Sequence, residues 1–211
     1  DDRQRRYGLG RDRGAAGDTG GQHRVSDGVL ALDYSSLVRR GLVPADGDAS
    51  IVGQVRRMGG DPQRPADAFA AVLMAARDAG SLRYLDLTWN GELSGAVRAA
   101  LDGARDRLAG GVLGIPAKVR TGPSDYHSTE QGETDGPPEL VSIRIVAERH
   151  APVAAGRYDD KFLLAQARGT WQAMQDAGRW IVFVTIPDTS ERSLSALDTL
   201  FTGTAARLQS A

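Results

Sequence analysis

Residues 180–186 read WIVFVTI, an almost unbroken apolar run of strand length. Gly178 precedes it and Pro187 stops it. Apolar side chains stand at odd and even positions alike, so both faces of this strand need cover. The run therefore reads as a central strand. Its expected neighbours are the strand at 140–147 and one of the earlier strands. The helices at 161–177 and 192–208 are the nearest elements to cover it, because consecutive elements usually pack together.

The rest of the chain supplies those elements. Asp48 can cap a helix carrying Ile51, Val52, Val55 and Met58, and Gly59 ends it. Asp61 and Pro62 suit the start of a longer helix with Phe69, Val72, Leu73 and Ala76 on one face and Gly80 at its end. Residues 82–89 alternate, with Leu85, Leu87 and Trp89 on one side and Asp86 and Thr88 on the other. Leu93, Val97, Leu101, Ala104 and Leu108 form the stripe of a helix over 90–110. Residues 112–120 are strand-like, but Pro116 removes a ladder donor, which puts them at a sheet edge or outside the sheet. In the strand at 140–147, Val141, Ile143 and Ile145 face in and Ser142 and Arg144 face out. Asp188 and Glu191 have capping-box spacing ahead of the last helix, which buries Leu194, Leu197, Phe201 and Leu208.

Residues 82–187 thus run β-α-β-β-α-β, the order of a ferredoxin-like α+β sandwich with an antiparallel sheet. Extra helices precede it and one follows. AARDAG at 75–80 recurs as AMQDAG at 173–178, each closing a helix ahead of a strand. A duplication and a shared way of stopping a helix both account for that echo.

Residues 28–211 are expected to form a single domain. Residues 1–27 are rich in Gly, Arg and Asp and offer only Tyr7, Leu9 and Val25 for burial. So little apolar surface does not offset the entropy of ordering, and the segment reads as a tail or linker. Its start at Asp1 suggests a processed or trimmed chain, compatible with an imported, exported or membrane-tethered form. No apolar run is long enough to span a membrane.

Composition narrows the chemistry. The 211 residues carry 41% hydrophobic side chains and a formal net charge of -1, and cysteine is absent. Disulfides, thiolate metal sites and cysteine nucleophiles are excluded. A near-neutral charge disfavours nucleic acid as a partner. Lys118 and Lys161 are the only lysines, so arginine clusters reflect coding bias before function. Phosphate-cradling glycine loops and a nucleophile elbow are missing, and no cofactor is implied.

The polar segment 121–138, TGPSDYHSTEQGETDGPP, far exceeds the ~4–6 residues of most connections and is the best place for a site. It holds Asp125, His127, Glu130, Glu133 and Asp135, and His150 follows the next strand. Histidine beside carboxylates can hold a metal or run acid/base chemistry, but no strong ligand spacing occurs, and no metal site is assigned. Asp125, His127, Glu130 and His150 are the candidate catalytic residues. The first functional expectation is nevertheless a non-catalytic interaction or accessory domain of a larger protein assembly. Tyr7, Leu9 and an exposed Trp89 would then meet the partner chain. An α+β enzyme with its site at 121–138 is the alternative.

Overall fold

The computed structural model describes residues 23–122, 131–149 and 159–211. In chain order these form β1 (Arg24–Ser26), β2 (Ala31–Asp33), α1 (Ser35–Arg39), α2 (Ile51–Arg57), α3 (Pro65–Asp78), β3 (Tyr84–Asn90) and α4 (Gly95–Ala104). A π-helix (Arg105–Leu113) continues α4, followed by β4 (Ala117–Gly122), α5 (Gln131–Asp135), β5 (Leu140–Ala147), α6 (Asp160–Asp176), β6 (Trp180–Ile186) and α7 (Glu191–Ser210). The expected mixture of helix and strand is present.

The sheet has six strands in the order β1-β2-β6-β5-β3-β4. β6, β5, β3 and β4 are mutually parallel, and the β1–β2 hairpin joins β6 antiparallel. The ferredoxin-like antiparallel arrangement is therefore not adopted. The strands at 117–122 and 140–147 are not a hairpin pair. Their connection crosses over β3 and leaves β4 at the edge, where Pro116 had pointed. Its carbonyl there accepts the Leu85 N–H at 3.1 Å. The helix that begins at Gly95 runs on to Leu113, so the strand starts later than its apolar residues suggest.

β6 does lie inside the sheet, between β5 and β2. The second neighbour is the LALD stretch, three residues of which form a strand with too little alternation to read as one. β1 takes residues 24–26 of the segment expected to be a tail into the sheet, and Val25 is buried. Three helix starts also move. α2 is capped by Ser50, whose hydroxyl accepts from the Gly53 N–H at 3.1 Å, and not by Asp48. α3 begins at Pro65 with Arg64 as its cap, while Asp61 donates its N–H to Asp67. α7 is capped by Ser190, and Asp188 accepts from the hydroxyls of Ser190 and Ser193.

The two faces of the sheet differ. On one, Leu32, Leu85, Leu87, Trp89, Val141, Ile143, Ile145, Val182 and Val184 join α3, α4, the π-helix and α7 in the main core. Phe69 of α3 meets Phe201 of α7 edge-on at 6.3 Å. On the other face α6 packs through a smaller cluster of Val146, Ala167 and Phe183, with the Trp171 ring tilted against Phe183 at 5.2 Å.

The AARDAG and AMQDAG echo has a local cause. Gly80 and Gly178 both adopt positive φ, at 73° and 69°, where other residues are strained. Each donates to the carbonyl three residues back, and the next residue donates to the one five back. The same helix stop thus serves α3 and α6.

Phe183 fills the small cluster beneath α6, so Phe183→Ala should cost about 3–5 kcal/mol. Arg168→Ala, on the exposed side of α6, should stay within about 0.5 kcal/mol. Urea denaturation of the two variants checks this. A mild Phe183→Ala would mean that α6 does not seal this face.

Candidate polar site on the inner sheet face

The face under α5 and α6 is polar where it crosses β4, β3 and β5. Alternation puts Asp86, Thr88 and Asn90 of β3 there, Lys118, Arg120 and Gly122 of β4, and Ser142 and Arg144 of β5. Register aligns them in rows: Lys118, Asp86 and Ser142, then Arg120, Thr88 and Arg144, then Gly122, Asn90 and Val146. In the sequence these alternating polar residues resemble a solvated side. In the fold, Asp86, Thr88, Ser142 and Arg144 have no exposed surface, and Asn90 and Arg120 are buried as well. The expectation that Ser142 and Arg144 point outward is corrected: they point into a covered layer.

Asp86 is the centre of the lower rows. Arg120 reaches diagonally across the strand pair, and its Nε donates to Asp86 Oδ1 at 3.0 Å and to Oδ2 at 3.1 Å. Its Nη2 donates to Asp86 Oδ2 and to Glu133 Oε1. The Thr88 hydroxyl donates to Asp86 at 3.2 Å. Glu133 comes from α5, in the long polar connection, and shares the Arg120 Nη2 donor with Asp86. Lys118 Nζ lies 3.3 Å from Glu133 Oε1 and sits over the Tyr84 ring.

Two carboxyls in contact and out of water do not both ionise readily. Burial, the hydrogen bond to Asp86 and the Asp86 charge push the Glu133 carboxyl up to about 8, against the pull of Arg120 and Lys118. Burial would raise Asp86 too. The hydrogen bonds from Glu133 and Arg120, with the charges of Arg120 and Lys118, outweigh it and hold Asp86 below its ordinary value. The direction favours the protonated form of the Glu133 carboxyl near neutral pH. Arg120 Nη1, Glu133 Oε2 and Ser142 Oγ are buried without a hydrogen-bond partner among the described residues.

Higher on the same face, Asn90 Nδ2 donates to the Ile145 carbonyl at 3.3 Å, and Arg144 donates to Asn90 Oδ1 at 3.5 Å and to Met174 Sδ at 3.8 Å. Gly122 is required there, because a Cβ on it would stand 2.7 Å from Asn90 Oδ1. Asn90 ends β3, whose chain turns to α4 on one face. β5 beside it leads to α6 on the other. Such a reversal between neighbouring parallel strands is where open α/β sheets receive ligands.

Of the residues expected at a site, Asp125, His127, Glu130 and His150 lie outside the described residues, as do Tyr7 and Leu9. Trp89 is fully buried, not exposed, and its Nε1 donates to the Glu92 carbonyl at 3.0 Å. It therefore offers a partner no surface. The sequence did place Glu133 among the acids of the 121–138 segment but held no reason to bring it to Asp86.

The pair links stability to pH. Between the ordinary carboxyl value and about 8, the folded protein keeps a proton on Glu133 that the unfolded chain releases. Stability is highest at the acid end of that window and falls as pH rises through it, by about 1.4 kcal/mol per unit. Asp86, with its value lowered, contributes only as pH drops below the ordinary range and does not alter this slope. Denaturation between about pH 5 and 7.5 should show a loss on the order of 3 kcal/mol in the wild type. Glu133→Gln, which keeps the shape of the protonated carboxyl, should abolish the slope. A flat wild-type profile would mean that Glu133 is ionised in the fold.

No family model matches the chain, and no curated protein matches it. Among solved structures, a hypothetical protein from Thermus thermophilus matches in fold with a TM-score of 0.56 and 17% identity. The match covers 76% of this chain and 44% of that one, so the chain spans less than half the length of its structural relative. The likeness shows the fold.

Proposed function

We propose that this chain is an acid/base enzyme domain acting on a small polar substrate, with Asp86 and Glu133 as its carboxyl pair. One observation carries the reading: two buried carboxyls, Asp86 and Glu133, converge on the Nη2 donor of one buried guanidinium, Arg120. A carboxyl that gains or loses a proton near neutral pH is suited to general acid/base work. Perturbed groups of this kind concentrate at functional sites, although ion-pair networks also create them. Arg120 holds Asp86 in place and offers Nη1 to a substrate oxygen. The Ser142 hydroxyl is a second such group. Asp125, His127, Glu130 and His150 follow β4 and β5 in the chain and are the further candidates to supply acid, base or ligand groups.

A second reading is a non-catalytic accessory domain of a larger assembly that binds another protein chain, with Tyr7 and Leu9 in the contact. It draws on the fact that the similar fold in the Thermus protein occupies under half of a longer chain. Under this reading the buried carboxyls fix the sheet and do no chemistry.

Turnover separates the two. A panel of small esters, glycosides, phosphoesters and hydroxy or keto acids is incubated with wild type, Asp86→Asn and Glu133→Gln, each first shown to keep its circular dichroism. The expected result is turnover of one class, lowered about 10²–10⁴-fold in both variants. If the wild type turns over nothing above the Asp86→Asn background, the enzyme reading fails. Retention of the chain by a protein partner would then favour the accessory domain.

A further inference from the structure

Lys118 and Lys161 are the only lysines in a chain with 26 basic residues. Lys161 is exposed at the start of α6. Lys118 stands on β4 directly across from Asp86 of β3. An arginine at that place would pair with Glu133 at least as well, since its planar fork matches a carboxylate. What an arginine cannot supply is a nitrogen that gives up its proton and then attacks a carbon. The surroundings of Lys118 suit that task. Its Nζ lies 3.3 Å from Glu133 Oε1 and 5.8 Å from the centre of the Tyr84 ring. Arg120 Nη2 donates to the same Oε1. Two cations therefore share one carboxyl oxygen, and of the two only Lys118 can pass a proton to it. The Lys118 side chain is 31% exposed, against 5% for Glu133 and 0% for Asp86. Solvent thus meets the site at Lys118, outside the covered row that Asp86 and Arg120 occupy.

We propose that Lys118 forms a reversible imine with a small aldehyde or ketone, with Glu133 moving the protons. The Lys118 ammonium passes one proton to the ionised Glu133 carboxylate, and the freed nitrogen attacks the carbonyl carbon. The C–O π pair moves to the oxygen, which takes a proton from the nitrogen to give a carbinolamine. Glu133 then returns its proton to the new hydroxyl, water leaves, and a protonated C=N bond remains. Ammonium and carbonyl compound thus become iminium and water, with no oxidation, no reduction and no net change in protons. Burial, the largest cause, pushes the Glu133 carboxyl up, so it receives the proton at less cost than a carboxylate in water does. The iminium withdraws electrons from the adjoining carbon and makes its C–H easier to ionise, which is work for an acid/base site. The imine rests on the proposed acid/base reading and names its substrate class, but its test needs no turnover.

Reductive trapping reads the imine directly, and the two lysines make the readout simple. The whole folded chain is incubated with acetaldehyde and cyanoborohydride at about pH 8, where Glu133 titrates. Peptide mass mapping then follows ethylation of Lys118 against Lys161 in the same sample. In the wild type Lys118 should react about tenfold faster or more, although Lys161 is the more exposed of the two. In the urea-unfolded chain both should react alike. Glu133→Gln, first shown to keep its circular dichroism, should slow Lys118 about a hundredfold and leave Lys161 unchanged. The proposal is overturned if Lys118 reacts no faster than Lys161 in the folded chain, or if it keeps its lead in the unfolded chain or in Glu133→Gln. Preferential trapping on Lys118 with no turnover of any substrate class would sink the acid/base reading alone. Turnover that survives Lys118→Arg, with no preferential trapping in the wild type, would sink this one alone.

Discussion

The diagonal ion pair of Arg120 with Asp86 is what the inner face of the sheet depends on. A carboxylate with no exposed surface costs several kcal/mol unless a cation and hydrogen bonds accompany it. Arg120 stands one row above Asp86, beside Thr88, and reaches back to it. Slipping β4 by one residue would turn Arg120 to the opposite face, among Leu85, Leu87 and Trp89. The pair therefore fixes the register of an edge strand that has few apolar contacts of its own. Lys118, carried on the same face of β4, then meets Glu133, and Gly122 meets Asn90.

Apolar and polar burial are divided between the two faces. One side of β3 and β5 joins α3, α4 and α7 in an apolar core. The opposite side is polar over β4, β3 and half of β5, and among the described residues α6 packs there on the cluster of Val146, Ala167 and Phe183, with Leu164 and Trp171 against it. Arg39 strengthens that seal by lying over the Trp171 ring at 5.6 Å and donating to Gln175. Polar residues inside a layered domain lower its stability relative to apolar ones of similar size. They are concentrated on one face and end at the reversal between β3 and β5.

Much of this was legible in the residues, and the misses share one cause. WIVFVTI announces an interior strand because both of its faces are apolar, and the structure puts β6 there. β3 and β5 were legible as strands, but their polar sides, Asp86 and Thr88 or Ser142 and Arg144, look the same whether they face water or an ionic layer. Alternation reports that two faces differ, not what covers them. Trp89 failed for the complementary reason. At the end of β3 it could have been free, but its position on the apolar side buries it and turns its N–H to Glu92. The length of the 121–138 segment marked it as unusual, yet periodicity is silent on a five-residue helix. Glu133 was therefore one acid among several.

Topology explains why Glu133, of all those acids, meets Asp86. β3 and β4 are adjacent, and α4 with the π-helix joins them across the apolar face. β5 lies on the far side of β3. The chain leaving β4 must therefore pass over β3 to reach it, and it does so on the polar face, where α5 sits. A connection that steps over a strand lays its middle residues on that strand's side chains. In an antiparallel sandwich the same segment would have been a turn at the sheet's end, and its acids would have stayed in water. The parallel crossover converts a polar loop into the cover of a buried carboxylate. The meeting of Glu133 with Asp86 at the Arg120 guanidinium thus follows from strand order and not from any local sequence signal.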